Sequence, residues 1–325
     1  MRLGLIGLGR IGTFHAMTLS GLVEGLVVTD AVPEVAEKVG AQVGATVVES
    51  PEKLLASGVD GVVIAAATGA HTPLLRAVVD AGLPAFCEKP LAADLADAEA
   101  LAAYVGDAPV QIGYPRRFDP AFRAVRAAVV NGELGALHTV RSTTLDPAPP
   151  PEAYIATSGG IFRDCAVHDI DALRWVTGRE IVEVYAVGAN RGADFFARYG
   201  DVASASALLT FDDGTLGLIS VSRYNARGYD VRLEVHGADD AIAAGLDDGL
   251  PIRSAQPGAT FPAGPPHGFF MDRLTAAFQA ELTAFIDLVA GRTPSPCTVA
   301  DALAVATVAE AATTSLHEHR PVQLG

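Results

Sequence analysis

Short apolar runs alternate with helix-like stretches through the first 113 residues, and this alternation restricts the possible folds more than any other feature. "LGLIG" (3–7), "GLVVTD" (25–30), "GVVIAAAT" (61–68), "PAFCE" (84–88) and "PVQIG" (109–113) read as strands. Between them "IGTFHAMTLSG", "PEVAEKVG", "HTPLLRAVVDAG" and "DLADAEALAAYVG" read as helices, with Pro33 suited to a first turn and Gly82 to a stop. Strands that are apolar on both faces, joined by helices, build a parallel sheet covered on each side.

The texture changes near residue 118. "PAFRAVRAAVVNGELG" reads as a bridging helix, followed by longer runs of alternating polarity: "ALHTVRSTTLD", "IVEVYAVGANR", "VASASALLTFD", "TLGLISVSRY" and "YDVRLEVHG". Asp-Gly within "FDDGT" (211–215) marks a hairpin. One polar and one apolar face per strand predict a large open antiparallel sheet in a second α/β domain. The expected division is residues 1–117 for a cofactor domain and 118–325 for a substrate and assembly domain, and 325 residues supply core for both.

A formal net charge of −15 argues against nucleic acid, whose phosphates need clustered Lys and Arg. Cys87, Cys165 and Cys297 are widely spaced, which fits a reduced cytoplasmic chain better than disulfides or structural zinc. Apolar runs such as "VVIAAA" are too short for a bilayer, so no membrane partner is expected.

Gly7, Gly9 and Gly12 form G-x-G-x-x-G after the first strand and at the head of the first helix. Such spacing is common alone, but its context gives each glycine a task. The first permits the turn and the second lets backbone approach a pyrophosphate. The helix N-terminus, with Arg10 and Ile11 in its first turn, favours the negative charge. Asp30 ends the second strand, where an acid bonds an adenosine ribose; no Lys or Arg follows before Lys38. NAD is therefore expected over NADP.

"CEKPLA" (87–92) follows a strand at the carboxyl edge of the sheet, which puts Glu88 and Lys89 where a cofactor would lie. A Lys-Pro bond can be cis and fix the direction of the lysine; an ordinary surface lysine is the alternative. "GGIFRDCAVHDIDALRW" (159–175) concentrates three acids, a histidine and two arginines. A helix beginning after Gly160 puts Asp164 and His168 one turn apart on one face. A carboxylate beside an imidazole raises its basicity and fixes its tautomer, as a general base needs. Metal ligation by Asp164, His168 and Asp169 is poorer geometry, since adjacent helical residues diverge, and no metal is expected. The third reading is a charge network that merely holds a helix.

"GLGRIGTFHA", "CEKPLA", "GYPRRFDPAF", "GGIFRDCAVHDIDALRW", "SRYNARGYDVRLEVHG" and "FQAELTAFIDLVAGRTPSPCTVADALAVATVAEAA" span almost the whole chain. In this order they resemble the glucose–fructose oxidoreductase / inositol dehydrogenase / MocA family, most nearly its inositol 2-dehydrogenases. The resemblance implies an NAD-binding Rossmann domain and an α/β domain whose open sheet assembles a homodimer or homotetramer. It implies a catalytic triad of Lys89, Asp164 and His168 acting on a ring hydroxyl of a polyol or sugar. His168 would be the acid/base, Asp164 its electrostatic partner, and Lys89 a donor to the reacting oxygen. Arg117 and Tyr229 would approach the substrate, and Thr68 and His71 the cofactor, with a helix-capping role as the other reading of His71; His15 reads as packing. The loop "TTLDPAPPPEAYIATS" (143–158) departs from the inositol dehydrogenases in its prolines, which leaves a cyclitol, sugar or keto-sugar open as substrate. A biosynthetic ketoreductase and a non-catalytic cofactor-binding regulator also stay open.

Overall fold

Strands β1 (Arg2–Ile6), β2 (Gly25–Thr29), β3 (Thr46–Val47), β4 (Gly61–Ile64), β5 (Ala85–Glu88) and β6 (Val110–Gly113) form one all-parallel sheet in the order β3-β2-β1-β4-β5-β6. The order reverses between β1 and β4, where doubly wound sheets open a ligand crevice at their carboxyl ends. The five strands expected from sequence are present. The sixth, β3, is an exposed two-residue edge strand with no hydrophobic signature.

The computed structural model describes residues 1–325, which form two units: Met1–Pro115 with Phe278–Ala304, and Arg116–Ala277 with Val305–Gly325. A single cut after residue 117 therefore misplaces a late segment. The helix Thr275–Val289 places Leu282, Phe285 and Leu288 in one core with Leu3, Leu5, Val28, Val63 and Phe86 of the parallel sheet. Gly61 makes room for it, since a Cβ there would lie 2.7 Å from Val289. The apolar face of that helix finds its partner in the first unit, whatever its position in the chain.

In the second unit β7 (Leu137–Leu145), β8 (Ile181–Ala189), β9 (Ser204–Phe211), β10 (Leu216–Ser222), β11 (Asp230–Gly237), β12 (Ala241–Ala244) and β13 (Val322–Gln323) form a seven-stranded sheet. The Asp-Gly hairpin is present between β9 and β10, with Gly214 at φ +86°. The sheet is mixed, not antiparallel throughout: β7 and β10 pair in parallel while the other pairs are antiparallel. After β7 the chain crosses over through helical turns before the β8-β9-β10 meander begins, and the last strand of that meander meets β7 in the same direction. Parallel neighbours require such a long connection.

Burial alternates along β9, β10 and β11, with Leu209, Ile219, Val221, Leu233 and Val235 inward. Val187, Leu208 and Leu216 are exposed. The helix Val299–Glu318 is long and apolar enough to cross a bilayer, yet half of it is buried in the protein. Its Ser315 Oγ accepts a bond from the Ala186 amide of β8, as a core helix does.

Candidate active site

In the first unit, the glycine loop is set by what surrounds each α-carbon. A Cβ on Gly7, whose φ is +90°, would lie 2.5 Å from the backbone of Ala66. One on Gly12 would lie 2.0 Å from the Gly7 carbonyl oxygen, whereas Gly9 has nothing within 4 Å. Two glycines thus let the loop close against the segment after β4 and the helix close against the loop. The third leaves an open approach to backbone. Gly9 is also the N-cap of the helix Arg10–Ser20, with no side chain capping its first amides; Arg10 is exposed and Ile11 half-buried there. Asp30 accepts from the Leu8 amide at 2.6 Å through Oδ2 and from the Val32 amide at 2.8 Å through Oδ1. It braces the loop, and each oxygen keeps a lone pair for a ribose hydroxyl. This cradle fits NAD.

Lys89–Pro90 is cis, and Lys89 is half-buried just beyond β5. His71 faces this segment. Its Nδ1 is 2.7 Å from the Pro90 carbonyl and its Nε2 3.1 Å from the Ala66 carbonyl. Burial holds its pKa below the usual histidine range, with the two carbonyls opposing that shift in part. His71 therefore ties the segments at Ala66 and Pro90 together from inside. Glu88, expected near the cofactor, has its Oε1 at 2.6 Å from His15 Nε2. His15 is buried among Phe14, Phe86 and Phe278, the packing role read from sequence with an ion pair added. Thr68, half-buried, opens the short turn Thr68–Ala70 between β4 and His71.

In the second unit, the charge-rich stretch is two helices and not one. Ile161–Asp164 ends at a widened turn, where the Ala166 amide bonds the Ile161 carbonyl five residues back, and Val167–Thr177 follows. Widened turns of this kind recur at functional sites. Each acid of the stretch has an arginine. Asp169 takes Arg116 at 2.8 Å with Ser142 and Thr144, and Asp171 takes Arg117 through two nitrogens, the closer at 2.6 Å. Asp164 takes Arg223 at 2.6 Å. Asp169 and Asp171 are fully buried in these pairs. Arg117, which the resemblance places near the substrate, is buried and ion-paired. Tyr229 is also buried, edge-on to Phe270, and burial pushes its phenol pKa up.

Asp164 also accepts from the hydroxyl of Tyr154, at 2.7 Å. His168 stands half-buried in the first turn of the next helix. Arg223 and Tyr154 escaped the sequence reading. The "SRY" of one strand end and a tyrosine in a proline-rich loop carry no periodic signal of their partner.

The family model described as "Oxidoreductase family, NAD-binding Rossmann fold" matches residues 1–114, and that described as "GFO/IDH/MocA C-terminal domain" matches residues 122–243. The chain belongs to the Gfo/Idh/MocA oxidoreductases. Among relatives, myo-inositol dehydrogenase Hyg17 of Streptomyces leeuwenhoekii is 39% identical over 97% of this chain and 98% of its own. The inositol 2-dehydrogenase of Rhizobium meliloti is 37% identical over 100% and 99%. The crystal structure of a probable dehydrogenase from Thermotoga maritima superposes with a TM-score of 0.91 at 35% identity over 99% of both chains. That of scyllo-inositol dehydrogenase from Lactobacillus casei with bound NAD(H) and scyllo-inositol superposes at 0.87, with 27% identity over 99% and 98%. The Rossmann unit of this Gfo/Idh/MocA member is an NAD-binding domain, and the open approach at Gly9 with Asp30 beside it is its physical counterpart.

Proposed function

We propose that the protein is an NAD-dependent dehydrogenase that oxidises a secondary ring hydroxyl of an inositol-like cyclitol to a ketone. The full-length similarity to two inositol dehydrogenases at 37–39% identity carries this reading. NAD, held by Gly7, Gly9, Gly12 and Asp30, supplies the hydride acceptor when bound. His168 takes the hydroxyl proton at a ring nitrogen as the carbon–oxygen bond becomes a carbonyl. Asp164 stabilises the resulting imidazolium, and Lys89 donates to the reacting oxygen. Charge-assisted bonds from Arg223 and Tyr154 favour Asp164 as the carboxylate this role needs.

Assembly into a homodimer or homotetramer would cover the outward sheet face at Val187, Leu208 and Leu216, and light scattering on the purified protein reads the mass directly. Three buried free cysteines fit a reducing cytoplasm. The deciding experiment is a panel of cyclitols and sugars with NAD and NADP, and of keto-sugars with NADH and NADPH, followed by the absorbance of reduced nicotinamide. Oxidation of myo- or scyllo-inositol with NAD is the expected result. Preferential reduction of a keto-sugar identifies a ketoreductase, and NAD binding without turnover of any substrate identifies a regulator.

A further inference from the structure

Among the acids of the charge-rich stretch, Asp164 is the one that Tyr154 of the proline-rich loop bonds. Tyr154 Oη donates to its Oδ1 at 2.7 Å and Arg223 Nη2 to its Oδ2 at 2.6 Å, one donor on each oxygen. Both donors call for an acceptor on both oxygens, which an ionised carboxylate provides.

The loop end of this arrangement is built to hold its place. Tyr154 lies in the helix Glu152–Ile155. Ile155 is buried in a small core with Phe196 and Ala203, and Glu152 is paired with Arg198 at 2.5 Å. Tyr154 itself is 44% exposed. Its hydroxyl reaches Asp164 from this anchored turn. At the sheet end, Arg223 follows β10 and is almost fully buried, reaching Asp146 at 3.3 Å as well as Asp164. One guanidinium thus serves two carboxylates. Titratable groups near Asp164 include Arg223, Tyr154, Asp146, Asp169 and Cys165, with His168 four residues on in the next helix, and burial keeps the Cys165 thiol neutral.

We propose that Tyr154 and Arg223 are positioning residues for Asp164: the loop tyrosine sets the direction of the carboxylate, and the buried arginine sets the net charge beside it. The loop whose prolines depart from the inositol dehydrogenases thereby acts on the acid. The proposal rests on Asp164 being part of the catalytic machinery.

The test compares Tyr154→Phe, Arg223→Lys, Arg223→Gln and Asp164→Asn in the full-length protein. It measures kcat, KM, pH–rate profile, NAD affinity and Tm, with whichever substrate the wild type oxidises best. Tyr154→Phe should lower kcat about 10- to 100-fold, the worth of a hydrogen bond to a charged group, with NAD affinity and Tm near wild type. Arg223→Gln removes a positive charge, leaves Asp164 freer to stabilise an imidazolium, and should move the rising limb of the profile to higher pH. Arg223→Lys keeps the charge, so the limb should stay in place while kcat falls; it also decides the charge argument if Arg223→Gln does not fold. A kcat and profile in Tyr154→Phe and Arg223→Lys matching wild type, with Asp164→Asn inactive, overturns this proposal alone. Wild-type turnover in Asp164→Asn overturns the catalytic reading and the proposal with it.

Discussion

Gly9 and Gly12 belong to one motif, yet the structure assigns them opposite failures when either becomes alanine. The Cβ of Gly12→Ala would sit 2.0 Å from the Gly7 carbonyl oxygen and 2.8 Å from its carbon. Relaxed contact needs roughly 3.5 Å, so the two backbones must part by about 1.5 Å. Gly7 cannot retreat easily: its amide bonds the Thr29 carbonyl at 2.9 Å, and the Ala66 backbone lies against its α-carbon. Overpacking of this kind costs about 1–3 kcal/mol, seen as a Tm lower by several degrees, together with weakened NAD binding. Gly9→Ala meets nothing within 4 Å, and its φ of −61° suits alanine. Its Tm should match wild type within about a degree, while the methyl group fills the approach to the pyrophosphate. NAD affinity should then fall about tenfold or more, equivalent to at least about 1.4 kcal/mol. Differential scanning fluorimetry without cofactor and titration calorimetry with NAD separate the two effects. Wild-type NAD affinity in Gly9→Ala, or an unchanged Tm in Gly12→Ala, would refute the reasoning.

Asp30→Ala removes two backbone hydrogen bonds as well as the ribose acceptor, so it should lower both Tm and NAD affinity; adding an arginine nearby should shift preference towards NADP, read from kcat/KM with each cofactor. Lys89→Ala should leave NAD binding nearly intact and cut kcat by orders of magnitude, and a normal kcat with weakened NAD binding would reassign the lysine to the cofactor. His168→Ala should lose about 10²–10⁴-fold in oxidation rate at unchanged Tm, and Asp164→Asn should lower the plateau and move its rising limb to lower pH. His71 is buried with a lowered pKa, so the unfolded chain binds its proton more readily than the folded one. Its contribution is complete above the unfolded value near 6.5 and is lost as pH falls from there towards the lowered folded value. Thermal melts of wild type and His71→Gln across that window should show the wild type losing more stability on acidification; parallel curves would contradict it.

The parallel sheet and the glycine loop were legible in the chain because their signals are local. A buried strand, a turn that only glycine permits and a helix N-terminus follow one another within a dozen residues of Arg2. The stretch from Gly159 to Trp175 could be recognised as chemically unusual for the same reason. Its sequence did not reveal that the helix breaks at Cys165, or which distant side chain each acid pairs with. That assignment depends on Arg116, Arg117 and Arg223, which lie 53, 54 and 59 residues from the acids they hold. The helix Thr275–Val289 joined the first sheet by the same kind of long-range choice, as did β7 when it paired in parallel with β10. Hydrophobic periodicity reports that a face will be buried, and a glycine reports the conformation its position needs. Neither carries the identity of the distant surface or charge that completes it. Only the folded packing decides that, because burying an unpaired carboxylate or an uncovered apolar face is what the tertiary structure must avoid.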